Sequence, residues 1–233
     1  MSERDVVYGR NPVRELLRAG RRDVREVLVL ERLAREPWLK GVRVRTADKS
    51  TLGRLAGTSD HQGVVAFTGP YPYVTAADVL EGAGPIVCLD GAQDPRNLGA
   101  ICRVADAAGA HGLAITSRGS PGVTPVVCKA SAGAVEHLAV TRCDSMAGFL
   151  LEARQAGRTV VGTDPDGTVD YRAAAIPADA VVVLGSEGAG LRPRIAAACD
   201  TLVAIPMRGR VQSLNISVAA GLVLFEAGRG AGS

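Results

Sequence analysis

The sequence predicts an α/β protein that has a parallel sheet in a larger C-terminal unit and a small α/β unit before it. From Ile86 onward, short uninterrupted apolar runs alternate with segments of helical periodicity, a pattern typical of parallel strands covered on both faces. Two turn-rich clusters, one of them Gly-Pro-Tyr-Pro-Tyr, precede this pattern and indicate a connection. We therefore expect an N-terminal unit at residues 1–68, a linker at 69–84 and the second unit at 85–233.

The N-terminal unit is predicted to begin with a helix. Asn11 is a plausible cap, Pro12 suits the first helical position, and Gly20 is a typical stop. The apolar patterns that follow predict a short helix through Trp38, a helix begun by Asp48, and strands at Val24–Leu30, Val42–Arg45 and Gly63–Phe67.

The second unit is predicted to alternate strands with helices. The strands are expected at Ile86–Leu89, Gly112–Thr116, Thr159–Gly162, Ala180–Leu184 and Leu202–Ile205, and the helices at Asn97–Ala108, Ser145–Ala156 and Ile216–Ala227. The last helix is apolar on more than one face, which fits either an ordinary core helix or a helix in a dimer interface.

Composition argues against several classes of protein. The five cysteines form no C-x-x-C pair and no histidine stands at ligand spacing, so we expect buried free thiols and no metal. No apolar run approaches the ~20 residues needed to cross a bilayer, and no signal peptide is present, so we expect a soluble cytoplasmic protein. Arginines crowd the first fifth of the chain among acidic residues, which fits either RNA contact or a solvated mixed-charge face.

The first of three polar strand-to-helix junctions contains Asn97 and Arg103. Ligands of open α/β sheets bind at the carboxyl ends of strands, where such junctions lie. Asn97 is a plausible helix cap. Arg103 follows six residues later in an otherwise apolar helix. It either extends to solvent and pairs with Asp106, or contacts an anion or hydroxyl group of a ligand.

The other two junctions follow later strands. Gly185-Ser186-Glu187-Gly188-Ala189-Gly190 has the wrong glycine order for a dinucleotide motif and lacks the Gly-Lys-Ser/Thr of a phosphate loop, so a nicotinamide-dependent oxidoreductase is disfavoured. Its glycines would let the backbone approach a ligand closely. In the third junction Pro206 ends a strand and Ser213 is a plausible cap of the final helix.

Together, Asn97-x5-Arg103, Gly185–Gly190 and Ile205-Pro206-Met207 followed by Ser213-Leu214-Asn215 resemble the three motifs of the SpoU/TrmH group of SPOUT RNA methyltransferases. The resemblance covers Pro85–Ala227. The segments Val7-Tyr8-Gly9-x-x-Pro12-Val13 and His61-Gln62-Gly63-Val64 resemble the substrate-binding domain of bacterial large-subunit rRNA guanosine 2′-O-methyltransferases, which is similar to the L30e/L7Ae fold.

The resemblance implies a deep trefoil knot in the C-terminal domain, an obligate homodimer, and S-adenosylmethionine as cofactor, with no metal. Residues that match the family's cofactor site are Thr163, Leu184, Gly185, Gly188, Ile205, Met207 and Leu214. Residues that match its active site are Asn97, Arg103, Glu187, Ser213 and Asn215. The implied partner is 23S ribosomal RNA or a ribosome assembly intermediate, with no membrane and no DNA.

Among the implied active-site residues, Arg103 is interpreted as a charge clamp on the developing alkoxide or on a phosphate, because a guanidinium group effectively never loses its proton. Asn97 and Glu187 would position Arg103 or the substrate, while Ser213 and Asn215 would shape the loop between cofactor and ribose. Either water or a neighbouring polar group would take the proton.

The leading prediction is methylation of a guanosine ribose in 23S rRNA. Two alternatives keep the chemistry and change the target, to tRNA or to an rRNA nucleotide of the antibiotic-resistance type. A third is a non-catalytic RNA-binding protein of ribosome assembly, against which the intact active-site positions argue.

Overall fold

The computed structural model describes residues 5–91, 93–185, 190–210, 213–227 and 229, which form two β-sheets. The N-terminal sheet has the order β1-β4-β2-β3, with β4 antiparallel to β1 and β2, and β2 parallel to β3. Its elements are β1 (Asp5–Tyr8), α1 (Arg10–Ala19), β2 (Val24–Val29), β3 (Val44–Thr46), α2 (Lys49–Ala56) and β4 (Val64–Thr68), with 3₁₀ turns at Glu31–Leu33 and Pro37–Leu39.

Several predicted boundaries in this unit are confirmed and others are wrong. Gly20 ends α1 in the left-handed conformation, and the Asp48 side chain caps α2 by accepting the Thr51 amide N–H at 2.8 Å. Helix α1 starts earlier than predicted, at Arg10, because Gly9 at φ 102° turns the chain directly from β1 into the helix. Asn11 therefore lies inside the first turn and is not the cap. The helix through Trp38 is only a 3₁₀ turn.

The C-terminal sheet has seven strands in the order β7-β6-β5-β10-β8-β11-β9, and every pairing among them is parallel. This confirms the predicted parallel sheet; the trefoil knot stays a prediction. The strands are β5 (Ile86–Leu89), β6 (Gly112–Thr116), β7 (Ala139–Cys143), β8 (Val160–Thr163), β9 (Val169–Asp170), β10 (Val181–Leu184) and β11 (Thr201–Ala204). The helices are α3 (Ala76–Glu81), α4 (Pro95–Ala107), α5 (Pro125–Ala130), α6 (Met146–Gln155), α7 (Pro193–Ala196) and α8 (Ile216–Glu226).

Both faces of the C-terminal sheet are buried, which explains why its central strands are uninterrupted apolar runs. In β5, Val87 and Leu89 pack with α4 and α8 on one side, whereas Ile86 and Cys88 pack with the side chains of α6 on the other. Successive side chains of a strand point to opposite faces, so every position of such a strand must be apolar. None of the helices in the described ranges is long and apolar enough to cross a membrane.

The two sheets are joined by a continuous apolar cluster and by buried polar contacts. Arg22, which follows α1, pairs with Glu136 of the 3₁₀ turn Ala134–Glu136 at 2.9 Å, and both side chains are almost fully buried. The Tyr71 hydroxyl donates to the Val135 carbonyl oxygen at 2.8 Å, and Val74 forms a bridge with Thr141 of β7. The stretch 69–84, which contains α3, therefore packs on the second sheet.

Candidate active site

A cavity of about 420 Å³ opens where β8, β10 and β11 end. Because parallel strands end at one edge of the sheet, residues that follow three separate strands meet there. Thr163 ends β8, Leu184 ends β10, and Ile205 comes directly after β11. The start of α8 closes the remaining side with Ile216 and Ala219.

The structure brings together most residues of the expected cofactor site. Six of the seven line this one cavity, and Ser213 of the expected active site lines it as well; the six are Thr163, Leu184, Gly185, Ile205, Met207 and Leu214. The seventh, Gly188, lies outside the described residues. Sequence reasoning missed Asp164 and Pro165, which also line the cavity. An Asp-Pro pair directly after an apolar strand was the available signal.

After β10, the backbones of Gly185 and Gly190 approach each other closely. A Cβ on Gly185 would lie 2.2 Å from the backbone carbon and oxygen of Gly190, a separation at which only glycine fits. Gly190 has a φ of +66°, and a Cβ there would lie 2.7 Å from the Asp164 carboxylate. That carboxylate holds the segment by accepting the Leu191 amide N–H at 2.9 Å. The ends of the predicted glycine-rich junction are thus fixed against β8.

Thr163 is a polar residue in the lining of the cavity. Its hydroxyl oxygen is buried and has no hydrogen-bond partner within the described ranges. Buried polar groups are nearly always hydrogen-bonded, and Thr163 stands in a mostly apolar wall that includes Leu184 and Ile205. A ligand with an apolar ring system and a few polar edges would fit these walls.

The first and third junctions meet beside the cavity, where α4 packs against α8. The Asn215 Nδ2 atom donates to Asn97 Oδ1 at 3.0 Å, while Asn215 Oδ1 accepts from the Ser217 amide at 2.9 Å. Asn215, and not Ser213, therefore caps α8. Asp94 caps α4 through the Arg96 amide at 2.8 Å, so both predicted caps, Asn97 and Ser213, are wrong. Asn97 lies inside the first turn of α4, after the cap Asp94, and contacts Asn215.

Arg103 does not reach this cavity within one chain. It is exposed on α4 and makes no ion pair or hydrogen bond with any part of the chain that the structure describes, so the suggested pairing with Asp106 is absent. Arg103 lies six positions after Asn97 in the helix, which places it about 9 Å further along the helix axis and about 120° around that axis. Glu187 of the expected active site lies outside the described residues.

The sequence profile of the SpoU rRNA methylase family matches residues 84–225, the part of the chain that builds the cavity. This chain belongs to the SpoU rRNA methylase family. A second profile, for the substrate-binding domain of RNA 2′-O ribose methyltransferases, matches residues 6–74 of the same SpoU protein. The two matches confirm the predicted enzyme class, an RNA ribose 2′-O-methyltransferase.

Known proteins resemble this SpoU protein over nearly its whole length. A Staphylococcus aureus relative is assigned by name to the TrmH family of tRNA/rRNA methyltransferases. It is 38% identical over an alignment of 238 positions, which covers 96% of this chain and 95% of the relative. The AdoMet-bound rRNA methyltransferase from Sinorhizobium meliloti is 29% identical, with a TM-score of 0.81 over 99% of this chain and 88% of that one. The SpoU methyltransferase AviRb from Streptomyces viridochromogenes, solved with AdoMet, is 28% identical, with a TM-score of 0.81 over 97% and 90%.

Helix α8 of the SpoU unit is apolar on two sides, and only one of them is buried in this chain. Ala220, Val223 and Leu224 pack into the core. Val218, Leu222 and Phe225, at helical spacing, are 50%, 37% and 57% exposed. An exposed apolar stripe of this kind marks an interaction surface more often than chance.

An ion pair connects the SpoU unit's first junction to its second. Asp90, which follows β5 and is buried, accepts from Arg192 Nε at 2.9 Å, and a second contact joins Arg192 Nη2 to the other carboxylate oxygen. The hydrogen bond that Arg192 donates to the Asp90 carboxylate raises the pKa of Arg192 above its usual value. The loop that leads to α4 is therefore tied to the chain just beyond Gly190.

The cysteines of the SpoU protein carry no metal or disulfide chemistry in the described ranges. All five are free, and no cluster of three His, Cys, Asp or Glu side chains suits a metal ion there. Burial raises the pKa of Cys199 to about 12 and that of Cys143 to about 11. Such thiols stay protonated at neutral pH and are poor nucleophiles.

Proposed function

We propose that this SpoU enzyme transfers the methyl group of S-adenosylmethionine to the ribose 2′-hydroxyl of a guanosine in 23S ribosomal RNA. The observation that carries the proposal is the cavity, in which residues after three different strands converge around the buried Thr163 hydroxyl, which has no partner among the described residues. S-adenosylmethionine, when bound, supplies an electrophilic methyl carbon on a sulfonium.

The cavity residues suit this cofactor. Leu184 and Ile205 offer apolar walls for the adenine ring. The Thr163 hydroxyl can exchange a hydrogen bond with a polar group of the ligand, which would satisfy the orphaned oxygen. The close approach of Gly185 and Gly190 leaves room for the ligand against backbone rather than side chains.

The chemical step forms a bond between the ribose 2′-oxygen and the methyl carbon, breaks the bond from that carbon to sulfur, and releases the hydroxyl proton. Arg103 acts as the charge clamp that stabilises the developing alkoxide. The proton passes to water or to a neighbouring polar group, since the guanidinium remains protonated. The Asn97–Asn215 pair at 3.0 Å holds α4 and the start of α8 in register beside the cavity.

A homodimer explains two features of the single chain. Arg103 is exposed and does not line the cavity, and the apolar stripe Val218, Leu222 and Phe225 is not covered by any described residue of the chain. Because α8 packs on α4, a second copy seated on the stripe would cover the helix pair that carries Arg103. The C-terminal unit is further proposed to be knotted, and the dimer to act in the cytoplasm during ribosome assembly.

The profile matched at residues 84–225, whose description names rRNA methylases, favours ribosomal RNA as the target. The test is to map ribose 2′-O-methyl groups on ribosomal and transfer RNA from cells with and without this protein, and to repeat the transfer with purified enzyme. We expect one guanosine of 23S rRNA to lose its methyl group. An altered tRNA beside unchanged rRNA would refute the rRNA assignment, and absence of S-adenosylmethionine binding in calorimetry would favour the non-catalytic alternative.

A further inference from the structure

A second concave site lies on the N-terminal unit, far in sequence from the cofactor cavity. We call it the His61 hollow: a space of about 560 Å³ whose lining includes Arg10, Arg32, Lys49, Asp60, His61 and Gln62. A neighbouring hollow shares Lys49, Ser59 and His61 and extends along α2 to Gly53. His61, Lys49 and Ser59 therefore lie where the two depressions adjoin.

His61 lines both hollows and carries a buried hydrogen-bond donor. The side chain is only 2% exposed. Its Nδ1 accepts the Gly63 amide N–H at 3.0 Å, so the proton of the neutral ring sits on Nε2. That Nε2 atom is buried and has no partner within the described residues. It lies on the Gly53 side, 4.0 Å from the position a Cβ would take there.

The charge of the ring is fixed by its surroundings. Burial lowers the pKa of His61, and the nearby ammonium groups of Lys49 and Lys129 lower it further, while Asp60 opposes them. The imidazole is therefore neutral at physiological pH and acts as a donor through Nε2 alone. An unpaired buried donor of this kind is rare in folded proteins and calls for an acceptor.

The rim of the His61 hollow is cationic. Arg32 and Lys49 are exposed and form no ion pair with the described residues, whereas Arg10 pairs with Glu36. The only acidic side chain of the lining, Asp60, is already paired with Lys129 at 3.5 Å. The hollow therefore presents excess positive charge and a donor, which suits an anionic acceptor.

The backbone is held in a costly conformation at the same place. Gln62 has a φ of +53°, a left-handed conformation that non-glycine residues adopt rarely and that clusters at ligand sites. Its Oε1 accepts the Arg10 amide N–H at 3.1 Å. On the opposite side, Lys129 of α5 donates to the Asp60 carbonyl oxygen at 2.9 Å. The hollow is thus tied to the helix that packs on α4 of the catalytic unit.

We propose that the His61 hollow binds a backbone phosphate of the RNA substrate, with Arg32 and Lys49 neutralising its charge and His61 Nε2–H donating to a phosphate oxygen. The proposal rests on the proposed function for the identity of the substrate as RNA. It places one anchor of the RNA strand on the N-terminal unit, joined through Lys129 to the unit that carries the cofactor cavity.

The test measures RNA binding by the full-length chain with short overlapping transcripts of 23S ribosomal RNA, the tightest-binding of which becomes the probe. Variants are Arg32→Ala and Lys49→Ala, both at exposed positions, and His61→Asn, whose side-chain oxygen can still accept the Gly63 amide but which has no Nε2 donor. The matched control is Arg54→Ala, an exposed cation on the same helix as Lys49 that lines neither hollow.

We expect each of the three hollow variants to raise the Kd about tenfold at low salt. Losing Arg32 or Lys49 should also reduce the slope of log K against log salt by about one unit. Arg54→Ala should stay within about twofold of wild type, and S-adenosylmethionine binding should be unchanged throughout. Hollow variants that bind like Arg54→Ala overturn the proposal, as does wild type that binds none of the transcripts.

Methyl transfer to the same probe separates this proposal from the proposed function. Wild type that binds the probe with the expected variant losses, but transfers no methyl group to it, supports the hollow and counts against the methylation target. Transfer that proceeds with unaltered KM for RNA in Arg32→Ala and Lys49→Ala counts against the hollow and leaves the target intact.

Discussion

Removing one partner of the buried ion pair between Arg22 and Glu136 should weaken the junction between the two units. Glu136 Oε1 contacts Arg22 at 2.9 Å and Cys128 Sγ at 3.6 Å, and Arg22 lies over the Tyr71 ring at 4.6 Å. Two atoms of the pair, Arg22 Nε and Glu136 Oε2, have no partner among the described residues. Glu136→Leu would leave the guanidinium buried and uncompensated, which typically costs about 3–5 kcal/mol.

The pair as a whole is expected to stabilise the fold far less than that loss suggests. Burial raises the pKa of Glu136 above its usual value even though Arg22 lowers it, so desolvation outweighs the attraction. A carboxyl group whose pKa is raised by folding contributes stability that is present below its unfolded-state pKa and lost as pH rises through the folded-state pKa. The double variant Arg22→Met/Glu136→Leu should therefore match wild type or exceed it by about 1–4 kcal/mol.

Urea unfolding at neutral pH, followed by circular dichroism, measures these free energies for wild type, both single variants and the double variant. Asp23→Asn is the control, because its pair with Arg25 is exposed at 3.7 Å and should be worth less than about 1 kcal/mol. Single variants that lose no more than Asp23→Asn, or a double variant that loses the sum of both singles, would refute the reasoning.

Three further predictions concern the cofactor cavity and the α8 stripe. Gly185→Ala should weaken S-adenosylmethionine binding at least tenfold in calorimetry, because its Cβ would overlap the Gly190 backbone; an unchanged Kd contradicts this. Thr163→Val should raise the cofactor Kd about fivefold, equivalent to roughly 1 kcal/mol, without lowering the free energy of unfolding, since the hydroxyl is unpaired in the free protein. Phe225→Asp should convert the proposed dimer to a monomer in light scattering, because a charge would then stand in the apolar stripe; a persistent dimer places the interface elsewhere.

Periodicity predicted the central strands of the second sheet because both of their faces are buried, as in β5 and β10. The edge strand β7 was missed because Arg142 faces solvent and interrupts its apolar run. Helix α5 was missed because its six residues span too few turns to show a helical period. Sequence patterns thus report burial well only where an element is long or buried on every side.

The candidate site, like the fold, could be predicted from the sequence only in part. The residues after β8, β10 and β11 could be assigned to one cavity from sequence, because strand order in a parallel sheet brings their carboxyl ends to a common edge. The caps were assigned wrongly because Asp94 and Asn215 are cap-forming residue types as well as Asn97 and Ser213, and only the backbone path decides at which of them each helix begins.

The position of Arg103 bears on the proposed assembly of two chains into a dimer. A residue that must stabilise charge at the ribose oxygen has to lie within hydrogen-bond reach of it, and Arg103 lines no part of the cavity that its own chain forms. Its helix packs on α8, which carries three exposed large apolar side chains, Val218, Leu222 and Phe225, more than any other described helix. In the proposed dimer, a second copy seated on the stripe would bring its own cavity to this helix pair, so the proposed clamp role of Arg103 and the proposed dimer support each other.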